Sequence, residues 1–581
     1  MGTGPPSPVG PTRLYGIPSA PPITRTPLRS ASWAALLRDH PDQNLVRSAL
    51  EDLEFGAPLG FSGTDGWPTI AAQNLPSARS PAAVDTLLTM VAEDIKLGRT
   101  IGPFSPSNAP FSHFSVSPVG LLAKEVWASD GTTRTKLRKL AHLSHPFGGY
   151  SVNAGLHPAK LKYASLDDAV EAILRFGGRG VFMAKLDVKS AFRLIPVNPS
   201  DIPLLGFMLG GLLFFDTVLP FGLRRSPEVW DKHAGLLAWI LSDAFRARGL
   251  NVVVIFYVDD FLLIGPSFDA VREAVWLSVS IGNFLGLPWE LTKLLGPASS
   301  LPFVGIGVDA ERLALFVPPE KVAELNKLLE VWSTRVSASR SQARSLAGKL
   351  VAVSRAIKSA RTFYRRILDF GNSFPTTATA NTPQLPVPEE VRRDIRWWQI
   401  FLPLAPSAVP FSPAVWHPAH VSVLTTDSSG HAGGALLFQP RGSAIPWFSY
   451  PWPAEVLSMA SDGDSNFSIN FLELATVLVA LACWPRAGGQ LLIRSDNLGA
   501  VAAINSGTSS YPRMMYLIRR IWLLCSIHSV ALRAVHIPGI ENVQADALSR
   551  GEIAKFRHLT PTAMIAATIP PADWFQSHLD I

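Results

Sequence analysis

Cysteine is almost missing from this 581-residue chain, which has only Cys483 and Cys525. Two thiols build neither a disulfide framework nor a cysteine-type zinc site, so the chemistry must manage without both, and a reducing compartment is expected. Charge is scarce as well, at 17% against the roughly 25% of an average soluble chain. Long apolar runs are absent: the longest, Leu474 to Trp484, falls short of the ~20 residues that span a bilayer. The opening residues are rich in Gly, Pro and Ser and do not resemble a signal peptide. No internal repeat is visible. The sequence reads as a soluble intracellular protein, of cytoplasm or nucleus, without a membrane partner.

What is present is 47% hydrophobic residues, enough for real cores, and 49 prolines, which imply long loops and extended joints. The length exceeds one core and suggests roughly three or four domains. With 52 Lys plus Arg against 45 Asp plus Glu, the net charge of +7 permits a polyanionic partner without demanding one.

Composition divides the chain. Residues 1–30 have the Pro/Ser/Gly content of a disordered tail. Residues 31–110, with helix-like stretches at Trp33 to Arg38 and Ala82 to Lys96, form an N-terminal accessory region. Residues 111–315 are dense in strands, at Val181 to Val188, Leu212 to Val218, Asn251 to Tyr257 and Phe261 to Gly265, with helices at Leu166 to Phe176 and Ser226 to Arg246. Residues 316–375 are helical and basic, suited to gripping a nucleic-acid backbone. Residues 376–414 read as a linker and tether, with a helix-like piece at Glu389 to Phe401. Residues 415–550 form a second mixed unit, and 551–581 a C-terminal tail. Strands of that unit are expected at His420 to Thr426, Gly434 to Phe438, Gln490 to Ser495 and Ser529 to His536, with a long apolar helix at Ile469 to Trp484.

In NVVVIFYVDDFLLIG two apolar runs flank Asp259 and Asp260, the pattern of a buried hairpin with acids at its turn. Carboxylates beside an apolar sheet repel one another and lose hydration, so they persist when a cation or strong donors offset them. MAKLDVKSAF ends another apolar strand with Asp187, and pairing it beside the hairpin gathers three acids at one sheet edge. Hard oxygen ligands suit Mg²⁺, and two such ions ~3.5–4 Å apart can clamp an in-line phosphoryl displacement. A lone Tyr-Val-Asp-Asp is equally an ordinary polar turn.

The order of motifs narrows this. AKLDVKSAF, LPFGLRRSP, FYVDDFLLIG and LPFVGIGVD, the last after Lys293, resemble the successive palm motifs of retroelement reverse transcriptases. The upstream SPVGLLAKE and KLRKLAHLSHPFGGYSVN resemble their fingers, especially in DIRS-type retrotransposons. The resemblance runs from about residue 40 to 550. It implies a multidomain α/β fold with a right-hand polymerase of fingers, palm and thumb. It also implies a catalytic, metal-holding triad of Asp187, Asp259 and Asp260, with the Val188 carbonyl as a further ligand. Lys124 and Arg138 would meet the incoming triphosphate; otherwise they are solvated surface cations. Gly222 would let the chain pass close to the template–nucleotide pair. Phe192 would be the gate that excludes a ribose 2′-hydroxyl, implying deoxynucleotide substrates; without the motif it reads as a core residue. The family often has Gln before the glycine; Phe221 stands there in this chain, so no hydrogen-bonding role transfers.

A second set of acids follows. LTTDSSGHAGGALLF puts Asp427 at a strand end, and LLIRSDNLGAVAAIN puts Asp496 at a strand-to-helix junction. Glu473 is the single charged residue from Ser468 through Pro485, in an apolar helix where an unpaired carboxylate is expensive. Asp546, in ENVQADALSR, opens a short helix. Taken singly, Asp427 or Asp546 could be a cap or turn carboxylate. Acid-only sites favour Mg²⁺ or Mn²⁺. The set resembles the tetrad of ribonuclease H, and the ending HIPG…N…ADALSR resembles retrotransposon copies. That resemblance implies a two-metal site cutting the RNA strand of a hybrid. His536 either matches the family histidine that assists product release or makes a strand-end backbone bond.

Together the resemblances imply an RNA-directed DNA polymerase with two Mg²⁺ ions per active site and a hybrid-degrading ribonuclease H, from a retrotransposon. Its partners would be an RNA template, a DNA primer, the RNA–DNA hybrid and deoxynucleoside triphosphates. The other reading is a decayed or domesticated copy that only binds RNA–DNA duplex; the seven intact acids disfavour it, because a pure binder has no need for them.

Overall fold

In the first half of the chain, apolar strands that end in acids assemble one antiparallel sheet. The computed structural model describes residues 26–575 apart from 64–69, 128–132, 147–148, 158–159, 358, 376–382, 405–408, 412–415, 417–420, 441–443, 462–464 and 486–488. The chain forms two units, Met1–Leu301 and Pro302–Ile581.

The sheet of the first unit has four strands: β1 (Phe182–Asp187), β2 (Val253–Tyr257), β3 (Asp260–Gly265) and β4 (Leu295–Ala298), in the order β2-β3-β1-β4. Ala184, Leu186, Leu263 and Phe261 are buried in its core. Among the described residues three helices accompany it, Leu166–Arg175 and two longer ones. α1 (Ser226–Ala247) starts with Pro227 in its first turn and buries Trp230, His233, Leu237 and Phe245. α2 (Phe268–Leu285) is capped by the Ser267 hydroxyl, which accepts from Ala270 N, and ends at Gly286 with φ +75°. A long ribbon, Val119–Trp127 paired antiparallel with Thr133–Ala141, supplies the fingers-type element.

Residues 31–110 are no accessory. A helix at Gln43–Phe55 that the sequence reading did not foresee buries Asp52, whose Oδ2 lies 2.7 Å from Lys232 Nζ on α1. Thr100–Phe104 pairs antiparallel with Leu212–Asp216. Amphipathic helices with a stripe to bury completed the same core here, although Gly- and Pro-rich turns separate them. Of the expected tail, residues 1–25 lie outside the described residues.

The second unit opens with a short antiparallel pair, Ile306–Asp309 with Ala314–Phe316, and continues with helices at Pro319–Ser333, Arg340–Val353 and Arg365–Asn372, the thumb-type segment. The stretch read as a tether holds the helix Glu389–Leu404, in which Trp397 and Trp398 are fully buried. Trp397 stacks on Phe363 at 4.3 Å between ring centroids. Asp394 on the same helix pairs with Arg519. Two adjacent tryptophans find cover in a core, so this part is no linker.

A five-stranded sheet follows, made of β5 (Ser422–Ser428), β6 (Ala432–Phe438), β7 (Trp447–Pro451), β8 (Gln490–Ser495) and β9 (Ala531–His536). Its order is β7-β6-β5-β8-β9. The first two pairings are antiparallel, and β5–β8 and β8–β9 are parallel. The long apolar helix α3 (Ser465–Cys483) and the short α4 (Val543–Ser549) pack on it. Strand β7 was not foreseen.

The expected C-terminal tail is structured as far as it is described. Phe556 is buried against Trp447, and Ala563 bridges in parallel to Ile445. Met564 N donates to Ile445 O at 3.0 Å and Thr568 N to Trp447 O at 2.7 Å, so the segment runs along β7, the edge of the sheet. The fold class expected from the sequence, multidomain α/β with palm-type and ribonuclease H-like parts, is the one observed. Among the described residues no helix is long and apolar enough to cross a membrane.

Candidate active sites

The first site grows from strand register. β1 pairs with β3 so that Asp187 stands opposite Asp260, and directly opposed residues point to the same face of a sheet. Asp259 sits in the two-residue turn between β2 and β3, and its carbonyl accepts a bond of 2.9 Å from Val188 N. The turn is strained: Val258 has φ +57°, a left-handed conformation that a β-branched residue rarely adopts. The buried Trp230 indole holds it, donating to Val258 O at 2.7 Å. Backbone strain at a turn that aims a carboxylate is over-determined by its surroundings.

Two lysines answer these acids. Lys293 Nζ lies 2.6 Å from Asp187 Oδ1, and Lys185 Nζ lies 3.2 Å from Asp260 Oδ1. Lys185 precedes Asp187 by two residues and so shares its face, a signal the sequence carried and our reading missed. Burial, then the neighbouring Asp187 and Asp260, raise the Asp259 pKa. Burial also raises that of Asp260, against the pull of Lys185.

A cavity of about 450 Å³ opens beside these groups, lined by Asp187, Val188, Asp259, Phe192, Arg138 and Lys136 among others. Phe192 is half-buried, its ring 5.6 Å from that of Phe221, and the Arg138 guanidinium lies 5.5 Å from the Phe221 centroid. Lys136, not singled out from the sequence, has its pKa lowered by burial and then by Lys293 and Arg138. Cations and carboxylates therefore line the same cavity. The side chain of Lys124 lies outside the described residues, although its backbone belongs to the ribbon opposite Lys136. Gly222 has a reason within the protein itself. Its φ is +105° and a Cβ would lie 1.9 Å from the Ala141 carbonyl oxygen, so packing against the ribbon already requires glycine, whatever lies above.

The second site lies at the C-terminal ends of β5 and β8. One oxygen each from Asp427, Glu473 and Asp496 falls within 4.8 Å of the other two, the one such trio of acids, histidines or cysteines among the described residues. Glu473 reaches in from α3, buried on every side; its Oε1 accepts from Ser428 N at 3.1 Å. Burial, then Asp427 and Asp496, push its pKa well above the usual carboxylate value. Burial raises Asp427 to about 6, although the Ser549 hydroxyl donates to its Oδ2. Uncompensated acids of this kind fit a divalent cation.

Asp546 stands beside that trio and outside it. Its Oδ1 is held 2.6 Å from Arg550 Nε one turn along α4. The His536 ring nitrogen lies 3.1 Å from the Asp496 carbonyl, the backbone contact of a strand-end histidine. Asn542, which the sequence offered only as one letter of a motif, reaches both Asp427 and Asp496. A larger cavity in this unit, about 730 Å³ and lined by Trp484, Trp522 and Cys525, lies at the opposite ends of the strands and contains none of these acids.

The chain thus carries two separate sheets, each with a cluster of carboxylates at one end. No family model matches it. Polyprotein P3 of Commelina yellow mottle virus is 21% identical over 146 residues, which is 25% of this chain and 7% of that protein. The genome polyprotein of Petunia vein clearing virus is 24% identical over 123 residues, 21% of this chain and 5% of that protein. The chain thus matches under a tenth of the length of these curated relatives. Among solved structures, a foamy viral protease-reverse transcriptase in complex with double-stranded DNA aligns with TM-score 0.43 and 13% identity, over 87% of this chain and 81% of that one. A foamy viral protease-reverse transcriptase in complex with RNA/DNA hybrid aligns at 0.41 and 11%, over 87% and 62%.

Proposed function

We propose that the chain is an RNA-directed DNA polymerase joined to a ribonuclease H, encoded by a DIRS-type retrotransposon. The observation that carries this reading is the presence of two separate carboxylate centres on the edges of two different sheets in one chain. At the first, Asp187 and Asp259 would hold Mg²⁺ with Asp260 beside them, and the ion would polarise the phosphoryl group under attack. Lys136 and Arg138 would bind and orient the triphosphate, with Lys124 as a further cation of the ribbon. Phe192 would close the space beside the sugar, and the Val188 carbonyl would be a further ligand while its N–H holds the turn. At the second, Asp427, Glu473 and Asp496 would hold the ions, with Asp546 and Arg550 at the rim. The pairing is chemically coherent, because copying RNA creates the hybrid whose template must then be removed.

The test is extension of a DNA primer on an RNA template with Mg²⁺, scored beside cleavage of the template. If the wild-type chain shows no synthesis and no cleavage, the proposal is ended. Recognition by shape and phosphate also predicts that both activities fall steeply with added salt. Phe192→Ala should raise ribonucleotide incorporation by about tenfold or more, since a gate works by filling space. Competition between ribo- and deoxynucleotides checks this, and unchanged sugar discrimination would remove Phe192 from the gate.

A further inference from the structure

Asn542 immediately precedes α4, where an asparagine ordinarily turns its side-chain oxygen back to cap the helix N–H groups. Here it makes no capping bond. The residue is fully buried, and its Nδ2 faces the Thr426 carbonyl at 3.1 Å, Asp427 Oδ1 at 3.4 Å and Asp496 Oδ1 at 3.2 Å. Its Oδ1 has no partner among the described residues. Reversing the amide would set that oxygen against two carboxylates, so charge fixes the orientation. Asp427 and Asp496 each lie two residues beyond Thr425 and Arg494, the last register pair of β5 and β8, on neighbouring parallel strands. Like charges so placed repel. An amide that forgoes its cap and leaves a buried acceptor unpaired, in order to face both of them, serves the carboxylates and not the helix.

We propose that Asn542 is a positioning residue of the second centre: one buried amide ties Asp427 to Asp496 and sets how tightly the pair takes a divalent cation. This rests on the nuclease reading above. With the two acids held together beforehand, cation binding need not gather them. Asn542 touches no reacting atom, so its removal acts on cation affinity first.

The experiment uses the full chain with Asp187→Asn and Asp259→Asn, which silence the first centre, and Mn²⁺ alone as probe. Calorimetric titration should show Asn542→Ala binding Mn²⁺ about tenfold more weakly or worse. Asn542→Asp keeps the volume but turns the donor into a third facing carboxylate. Its Tm at pH 7.5 should fall without cation, and the deficit should shrink as Mn²⁺ is added. A merely structural asparagine would give a Tm loss equal with and without Mn²⁺ and an unmoved Mn²⁺ affinity in Asn542→Ala, which overturns the proposal. A parent that takes up no Mn²⁺ overturns the nuclease reading and this inference with it. A parent that binds Mn²⁺ beside an Asn542→Ala that binds it equally overturns this inference alone.

Discussion

Asp259→Asn should abolish primer extension while leaving cleavage of a preformed RNA–DNA hybrid little changed, and Asp496→Asn should do the reverse. Each loss should reach about 10³-fold or more, ~4 kcal/mol of transition-state stabilisation. The size follows from the geometry. Asp259 is aimed from a strained turn that Trp230 and Val188 both hold, and amide for carboxylate keeps that shape while removing the charge. Asp496 belongs to a trio whose oxygens lie within 4.8 Å of one another, a spacing that one cation could bridge. The two centres share no strand and no side chain, so neither lesion has a direct route to the other. A variant that stayed folded yet lost both activities would refute two independent centres.

The second large effect is on stability. Asp427 titrates at about 6 in the folded protein against an ordinary 3.8, and Glu473 shifts the same way. The folded state therefore holds protons that the unfolded chain has released, so the cation-free protein loses stability as pH rises through that window. The loss is absent below about pH 4 and complete above the folded value, roughly 3 kcal/mol from Asp427 alone. A divalent cation relieves it by favouring the ionised trio. The gain in Tm on adding Mg²⁺ should therefore be small at pH 5 and large at pH 7.5, and Asp427→Asn should flatten that difference. Asp394, also raised to about 6 by burial, adds a pH trend that the cation cannot relieve, and its persistence in Asp427→Asn is the control. A cation effect equal at both pH values would dissociate the trio from metal binding.

These effects were foreseeable where charge conflicts with its apolar setting. Asp259, Asp260 and Glu473 stand out in the sequence because nothing near them in the chain can offset them; in the fold Glu473 is buried and the two aspartates are half-buried. Partners drawn from elsewhere in the chain were not legible: Lys185 and Lys293 meet the first acids, and Asn542 and Ser549 the second, through pairings that only the folded sheets create. The ribbon Val119–Trp127 with Thr133–Ala141 was missed as strands because Lys, Arg and Thr interrupt its apolar positions. The helix Glu389–Leu404 was visible, but the Pro/Thr-rich stretch before it made a packed element look like a tether. Composition reports how a segment would behave alone, and these segments are not alone.

The segment after Arg550 has a consequence for anyone who would shorten the chain. Residues 563–568 occupy the open side of β7, where Trp447 Nε1 also donates to Met564 O at 2.8 Å. Cutting the chain just past α4 would leave all seven acids of the two centres in place. It would also bare a row of backbone donors and acceptors beside Trp447 and Phe556's former seat, a ready template for another copy to zip onto. Such a fragment should precipitate or self-associate, for reasons unconnected with catalysis.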